Sequence, residues 1–483
     1  MQEKILCKMR DVKISKSHKI SFTKEMAKVL DLGRDTILLM RFSNNRAIEW
    51  VSKVTQSKYG YNFRLGERAL KEYGIREGDI LDIEIVQKKD LERYVKLKMS
   101  NDIVDITSFM ITGSFGFFEK QGDRILIYSR PHSCFLMRRN IDLDKWLFWL
   151  IGFYLAEGNM TSNVFGVSNT DQFLLQLFKN KLEEKLGISK DLWRVEVFAN
   201  KRKSELRIKG YWSNNLSIDA GRIKVYFKKM KINSDYGVAR LALQRSMPLL
   251  KIWLNMCNNE EMRKIVLSNR ERMLYFLRGF EAGDGYVSSY TSKNGWNNLE
   301  VGIQQKKNNE IICFIYKLYD ILYGEAKIQQ TKTKGTKVYF NNCSKIRELI
   351  IDKHFSEQES QRTKLIKGYL RMKLGKKDMM YLTSLDNSSL DEIAKKLGLR
   401  ACSVHERLIR MIFLDLIDRR KINEKFRYFL TNKGKYFLKC LLSVGEANDQ
   451  NILHKNLRMH GEQVGLEHNR RIIGAVRLQT NLA

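Results

Sequence analysis

The chain has 483 residues, and its 87 Lys and Arg against 54 Asp and Glu leave a formal charge of +33, which points to a polyanionic partner. A hydrophobic fraction of 43% supports real cores, but no apolar run reaches the length of a membrane span, and Met-Gln-Glu-Lys at the N-terminus opens no signal peptide. The seven cysteines include no C-x-x-C pair, which excludes a disulfide framework and a zinc site and implies a reducing cytoplasm.

Residues 1–90 hold a weak internal repeat. Residues 19–33 lead into an apolar strand at 36–40, and residues 61–74 lead into another at 80–86. Each copy reads as strand, short helix, Gly or Gly-Asp turn, strand. The second copy, with Gly74-Ile-Arg-Glu-Gly-Asp79, resembles the AbrB-type swapped-hairpin DNA-binding fold. A generic small β-barrel fits the same pattern. Residues 91–140 contain one clear strand, Arg124–Tyr128, and read as a linker or a β-extension.

Two stretches organise the rest. Residues 150–158 read Leu-Ile-Gly-Phe-Tyr-Leu-Ala-Glu-Gly, and residues 277–285 read Leu-Arg-Gly-Phe-Glu-Ala-Gly-Asp-Gly. Each is a short run with two small residues one helical turn apart, Gly152 and Ala156 or Gly279 and Gly283. A single carboxylate and a glycine follow. Each small pair therefore lies on one helix face, and two such faces can pack backbone to backbone. Gly158 and Gly285 stand where a C′ glycine would end each helix. Packed in parallel, the helices bring Glu157 and Asp284 together beside unpaired carbonyls. Two carboxylates there repel unless a cation joins them. A hard divalent metal, Mg²⁺ (or Mn²⁺), suits such oxygen ligands.

The same order of elements follows each motif. After Glu157 come a strand at 164–168 and a helix at 171–186 closed by Gly187. After Asp284 come a strand at 299–303, a helix at 309–322 closed by Gly324, and strands at 326–330 and 337–340. Arg194, Lys201, Arg202, Lys203, Arg207 and Lys209 stud the strands expected in the first half. Lys327, Lys332, Lys334 and Lys337 stud those of the second. Alternation with apolar residues predicts sheets with one apolar face and one basic face.

These motifs resemble the two-motif, single-chain LAGLIDADG homing endonucleases. The likeness includes Trp149–Gly158 and the lead-in Arg272–Phe280, and it covers residues 141–370, with halves at 141–265 and 266–370. It implies an α+β (mixed α/β) core of two pseudo-twofold αββαββα-type halves whose basic sheets lie in the major groove. It makes Glu157 and Asp284 the metal-binding catalytic acids. It places Gln305 and Lys306 as a catalytic pair beside the scissile phosphate. Ser168-Asn169 is the matching place in the first half, without a lysine. Asn169, Arg207, Lys209, Lys327 and Lys337 become candidate DNA-binding residues. The resemblance further implies a monomer making staggered double-strand cuts, in a cytoplasmic, nucleoid-associated, prokaryotic setting. Met1 and the final Thr-Asn-Leu-Ala lack self-splicing residues, so an intron-encoded or free-standing enzyme is expected rather than an intein.

Residues 371–445 form a further unit. Ser389 and Glu392 make a capping box for a helix ending at Gly398, and a second helix starts at Ser403. Residues 416–420 and 426–434 read as a wing, followed by a closing helix at 435–442. This resembles a winged helix-turn-helix, with Ser403, Arg407 and Arg410 on or near the recognition helix. Residues 446–483 read as a poorly ordered tail or a lone docked helix.

The expected function is sequence-specific, metal-dependent cleavage of double-stranded DNA. A DNA-binding transcriptional regulator with a LAGLIDADG-derived core is the alternative from another class. An RNA-splicing maturase on the same core leaves an RNA partner open.

Overall fold

A computed structural model describes residues 7–14, 19–30, 32, 36–42, 48–53, 55–57, 60–64, 76–86, 102–112, 116–130, 133–159, 164–229, 234–244, 246–291, 297–305, 309–331, 335–385 and 387–445. The fold mixes helix and sheet. Two compact units divide it, one from residues 1–285 and 303–338, the other from residues 286–302 and 339 onward. Lys306 and the tail at 446–483 lie outside the described residues.

The first unit begins with strands β1 (Cys7–Lys13) and β2 (Lys19–Thr23), helix α1 (Lys24–Val29), and strands β3 (Ile37–Phe42), β4 (Ile48–Lys53), β5 (Thr55–Ser57), β6 (Gly60–Arg64) and β7 (Ile80–Val86). The two repeat copies pair with each other: β2 runs antiparallel to β6, and β3 antiparallel to β7. Ile20, Phe22, Ala27, Leu38, Met40, Ile83 and Ile85 form their shared core. The helix expected in the second copy falls within 65–75, outside the described residues.

Strands β8 (Ile103–Asp105), β9 (Gly116–Gln121), β10 (Arg124–Arg130), β11 (Ser133–Arg138) and β12 (Asn140–Asp142), with helix α2 (Thr107–Thr112), follow. β4 pairs with β9, so the hairpins of residues 116–138 continue the first sheet as a β-extension, in the order β1-β7-β3-β4-β9-β10-β11.

The first half then runs α3 (Lys145–Glu157), β13 (Gly166–Asn169), α4 (Gln172–Leu186), β14 (Trp193–Ala199), α5 (Glu205–Leu216), β15 (Ile223–Phe227), β16 (Val238–Leu243) and α6 (Met247–Asn258). Asp171 caps α4 by accepting from the Phe173 and Leu174 amides, and Gly187 ends it in the left-handed conformation. Arg138 donates to the Glu184 carbonyl at 3.0 Å, and Arg124 donates to that of Gly187. Two arginines of the β-extension thus satisfy the last carbonyls of α4.

The second half runs α7 (Glu260–Leu267), α8 (Arg270–Asp284), β17 (Gly285–Thr291), β18 (Asn297–Gln305), α9 (Asn309–Tyr323), β19 (Lys327–Thr331), β20 (Gly335–Phe340) and α10 (Cys343–Ile351). From α8 onward this is αββαββα. Strand order is β17-β18-β20-β19 here and β13-β16-β14-β15 in the first half. β13, β16 and β14 thus match β18, β20 and β19. The counterpart of β17 is a lone bridge from Gly158 to Val167 among the described residues. β15 has no counterpart among the described residues of the second half. Helix α5 carries the chain from β14 to β15, and that pair is parallel, as a helical crossover allows.

Helices α11 (Glu359–Arg371), α12 (Lys373–Ser384), α13 (Leu390–Leu397), α14 (Ala401–Phe413) and α15 (Asn432–Gly445) dominate the second unit. Strands β21 (Ser388–Ser389), β22 (Ile417–Ile422) and β23 (Lys425–Leu430) form its small sheet. The predicted capping box of Ser389 and Glu392 is present, and Gly398 is left-handed at φ 64°.

Candidate active site

Helices α3 and α8 form the centre of the first unit. Asp144 caps α3 by accepting from the Trp146 and Leu147 amides, and Asn269 caps α8 in the same way. Their glycine faces meet. A Cβ on Gly152 would stand 2.1 Å from the Phe276 carbonyl oxygen, and one on Gly279 would stand 2.1 Å from that of Trp149. One Cβ on Gly283 would reach 2.5 Å from the Ala156 Cβ and 2.7 Å from the Glu157 Cγ. The contacts advance together along both helices, so the packing is parallel, and Glu157 and Asp284 end side by side.

Both glycines follow the last helical residue as expected, without the left-handed conformation such glycines usually supply. Gly158 has φ −72° and Gly285 has φ −76°, both extended. Each helix passes straight into strand-like backbone, so no left-handed turn is needed. The glycine at 158 is required by space instead, because a Cβ there would lie 2.2 Å from the Tyr154 carbonyl oxygen.

The electrostatics follow from this convergence. Burial raises Glu157 from 4.5 to about 8, and the neighbouring Asp284 charge adds to the shift. Burial likewise raises Asp284 from 3.8 to about 6, against the pull of a hydrogen bond from Gln305. The Asn169 Nδ2 donates to the Glu157 Oε1 at 2.9 Å. Gln305 also donates to the Leu155 carbonyl at 3.4 Å. Asn169 ends β13 and Gln305 ends the matching β18, so each acid has an amide partner from its own half. The sequence placed Asn169 among DNA contacts, and its role as partner of Glu157 emerges only from the fold.

Asp284 Oδ2 and Gln305 Oε1 are buried without a hydrogen-bond donor. Two acceptor oxygens with no donor, beside two carboxyls that resist ionisation, fit a hard cation. Among the described residues no group of three or more His, Cys, Asp or Glu comes together. Mg²⁺ held by two carboxylates plus substrate phosphates needs no such protein cage.

The remaining candidates are dispersed. Lys327 is exposed on β19, and Lys337 is half-buried on β20. Arg194 lies on the outer side of β14, where Trp193, Val195, Val197 and Ala199 alternate inward. Lys201 and Arg202 lie in the turn after β14, with Lys203 just beyond it. Arg207 and Lys209 are not on a strand. Both belong to α5, where Ile208, Trp212 and Leu216 set a helical burial pattern, and Lys209 pairs with Glu205 at 2.8 Å.

In the second unit Ser403 and Arg410 are exposed on α14, but Arg407 is turned inward. It pairs with the fully buried Asp378 of α12, which also binds the Tyr369 hydroxyl and lies 3.5 Å from Arg347. Arg407 is thus held inside the unit rather than offered to a phosphate. Its truncation to alanine should cost about 3 kcal/mol of stability by leaving a buried carboxylate half-compensated. Arg410→Ala should leave denaturation unchanged. Equal denaturant midpoints for the two variants would contradict this assignment. Sequence periodicity did not show Asp378 as a hub, because its partners come from three other helices.

No protein-family pattern matches the sequence, and no curated protein matches it. Among solved structures the chain is similar to a single-residue mutant of I-SmaMI, with 13% identity and a TM-score of 0.26, over 49% of this chain and 92% of that one. A second similar structure is the meganuclease I-SmaMI bound to uncleavable DNA, with 14% identity and a TM-score of 0.23, over 49% and 94%. A third is the I-LtrWI LAGLIDADG homing endonuclease bound to target DNA, with 13% identity and a TM-score of 0.22, over 48% and 99%.

Proposed function

We propose that this chain is a site-specific, metal-dependent DNA endonuclease of the LAGLIDADG homing type. The observation that carries the reading is the convergence of Glu157 and Asp284 at the ends of two parallel, glycine-packed helices. Each acid has an amide partner, and both carboxyls are held above their ordinary range. A protein that needed these helices only for its core would have no use for two buried acids at one point.

Glu157 and Asp284 would hold Mg²⁺ or Mn²⁺. Bound there, such a cation supplies Lewis-acid stabilisation of the phosphoryl charge and an acidified water. The chain's own part is positional. Asn169 fixes one oxygen of Glu157, Gln305 restrains Asp284, and the close helix contact fixes the spacing of the two carboxyls. Lys306, next in sequence to Gln305, is proposed to add positive charge beside the scissile phosphate. The charge of +33 supports a duplex partner over a small anion. The α13–α14 helix pair and the β22–β23 hairpin support a winged-helix role in DNA binding, with Ser403 and Arg410 outward. The paired repeat at the N-terminus supports an AbrB-like role.

Selection of cleaved sequences from random duplex DNA in Mg²⁺ tests the reading. The wild-type chain should enrich one long site and cut both of its strands. Asp284→Asn should cut that site at least about 100-fold more slowly, a loss expected when a metal ligand carrying transition-state charge is removed. A protein that enriches a site by binding yet never cuts it would favour the regulator.

A further inference from the structure

The edge strand β15 is one of two differences between the halves; the other is β17, matched in the first half, among the described residues, by the Gly158–Val167 bridge. In the second half the matching sheet ends at β19, whereas the first half adds α5 and β15 beyond β14. Strand register places Ser168, Arg240, Glu196 and Lys224 opposite one another in a single row across β13, β16, β14 and β15. Ser168 adjoins Asn169, the partner of Glu157, so the row begins beside the candidate active site. It ends three strand spacings away, about 14 Å at roughly 4.8 Å each.

The far end of this row is charged and aromatic. Lys224 is exposed, and the acid across from it is already taken: Glu196 lies 3.2 Å from Arg240 and 3.7 Å from Arg194. In the adjacent row Tyr226 stacks on Phe198 at 5.5 Å between ring centroids while remaining 40% exposed. Lys228 stands over the Phe198 ring, 4.9 Å from its centroid. Lysines alone on an edge strand would serve to block edge-to-edge pairing. A half-exposed aromatic stack does not serve that end, because it adds apolar surface to the edge.

Resting on the endonuclease reading above, we propose that β15 widens the first half's DNA-facing sheet. Lys224, Tyr226 and Lys228 would then grip a stretch of duplex for which the described residues of the second half offer no matching strand. One added strand spans about 4.8 Å, against 3.4 Å per base step, so the extension is one to two base pairs at one end of the site. The recognised sequence therefore extends further at the β15 edge of the first half than at the β19 edge of the second.

The probe is a duplex selected by the wild-type protein, and the variant is Lys224→Ala with Tyr226→Ala and Lys228→Ala. The variant should cut at the same positions. Its protection footprint should shorten by one or two base pairs at one end only. Its log–log salt slope should be shallower by about 1.8, from two phosphate contacts at about 0.9 each. Should the triple variant melt earlier than wild type, Lys224→Gln with Lys228→Gln, which keeps Tyr226, must still show the slope change. An unchanged slope and footprint, or shortening at both ends, overturns the role of β15 and leaves the endonuclease reading standing. A wild-type protein that protects no duplex overturns that reading itself.

Discussion

Gly279→Ala should destabilise the fold by about 3 kcal/mol or more, despite adding a single methyl group. The added Cβ would meet the Trp149 carbonyl oxygen at 2.1 Å, its carbonyl carbon at 2.8 Å and the Phe153 amide nitrogen at 3.0 Å. These are backbone atoms of a buried helix and cannot swing aside as a side chain would, so α3 and α8 must separate along their whole contact. Gly152→Ala should cost a similar amount, since its Cβ meets the Phe276 carbonyl from the other helix. Gly210→Ala is the internal contrast. It sits inside α5 with nothing within 4 Å of its Cβ, so there alanine should gain up to about 1 kcal/mol from helix propensity. Equilibrium denaturation of the three variants checks the ranking. Equal stabilities at 152, 279 and 210 would show that α3 and α8 do not meet through their glycines.

This contrast shows what the sequence could carry. Small residues one turn apart followed by an acid and a glycine marked two helix faces able to pack closely, while the parallel sense of that packing came from the fold. The same pattern was silent on the backbone at Gly158 and Gly285. A glycine demanded by crowding and one demanded by a left-handed turn look alike in one dimension. The basic run at 201–209 misled for a related reason. Charges dominate it, and the burial period of Ile208, Trp212 and Leu216 that marks α5 as a helix begins only at its end. The added strand β15 could not be counted from the sequence, because its place at the sheet edge depends on a parallel pairing with β14. Arg407 was legible as a helix residue. Its direction was not, because that depends on Asp378, a buried acid 29 positions away.

Freed of divalent metal, the protein should lose stability as pH rises from about 4.5 to about 8. Burial holds Glu157 near 8 and Asp284 near 6, both above the ordinary carboxyl values of 4.5 and 3.8. A carboxyl raised on folding binds its proton more tightly in the folded state. Across that window the folded protein therefore holds more protons than the unfolded chain, and stability declines with each step upward in pH. For Glu157 the whole decline is on the order of 5 kcal/mol, from about 1.36 kcal/mol for each unit of displacement. Thermal melting in chelator at pH 5.5 and 8.5 should show the lower midpoint at pH 8.5. Glu157→Gln cannot ionise at this position, so the part of that difference due to Glu157 should vanish in the variant, while the titration of the basic surface is common to both proteins and cancels in the comparison. Adding Mg²⁺ or Mn²⁺ at pH 8.5 should raise the wild-type midpoint and leave the variant nearly unmoved, since two ionised carboxyls at one point are then paired by the cation. At a hundredfold excess over its dissociation constant, a bound ion contributes about 2.7 kcal/mol. A wild-type protein whose pH dependence matches that of Glu157→Gln, with no response to either metal, would mean that the two acids neither share a site nor hold a cation.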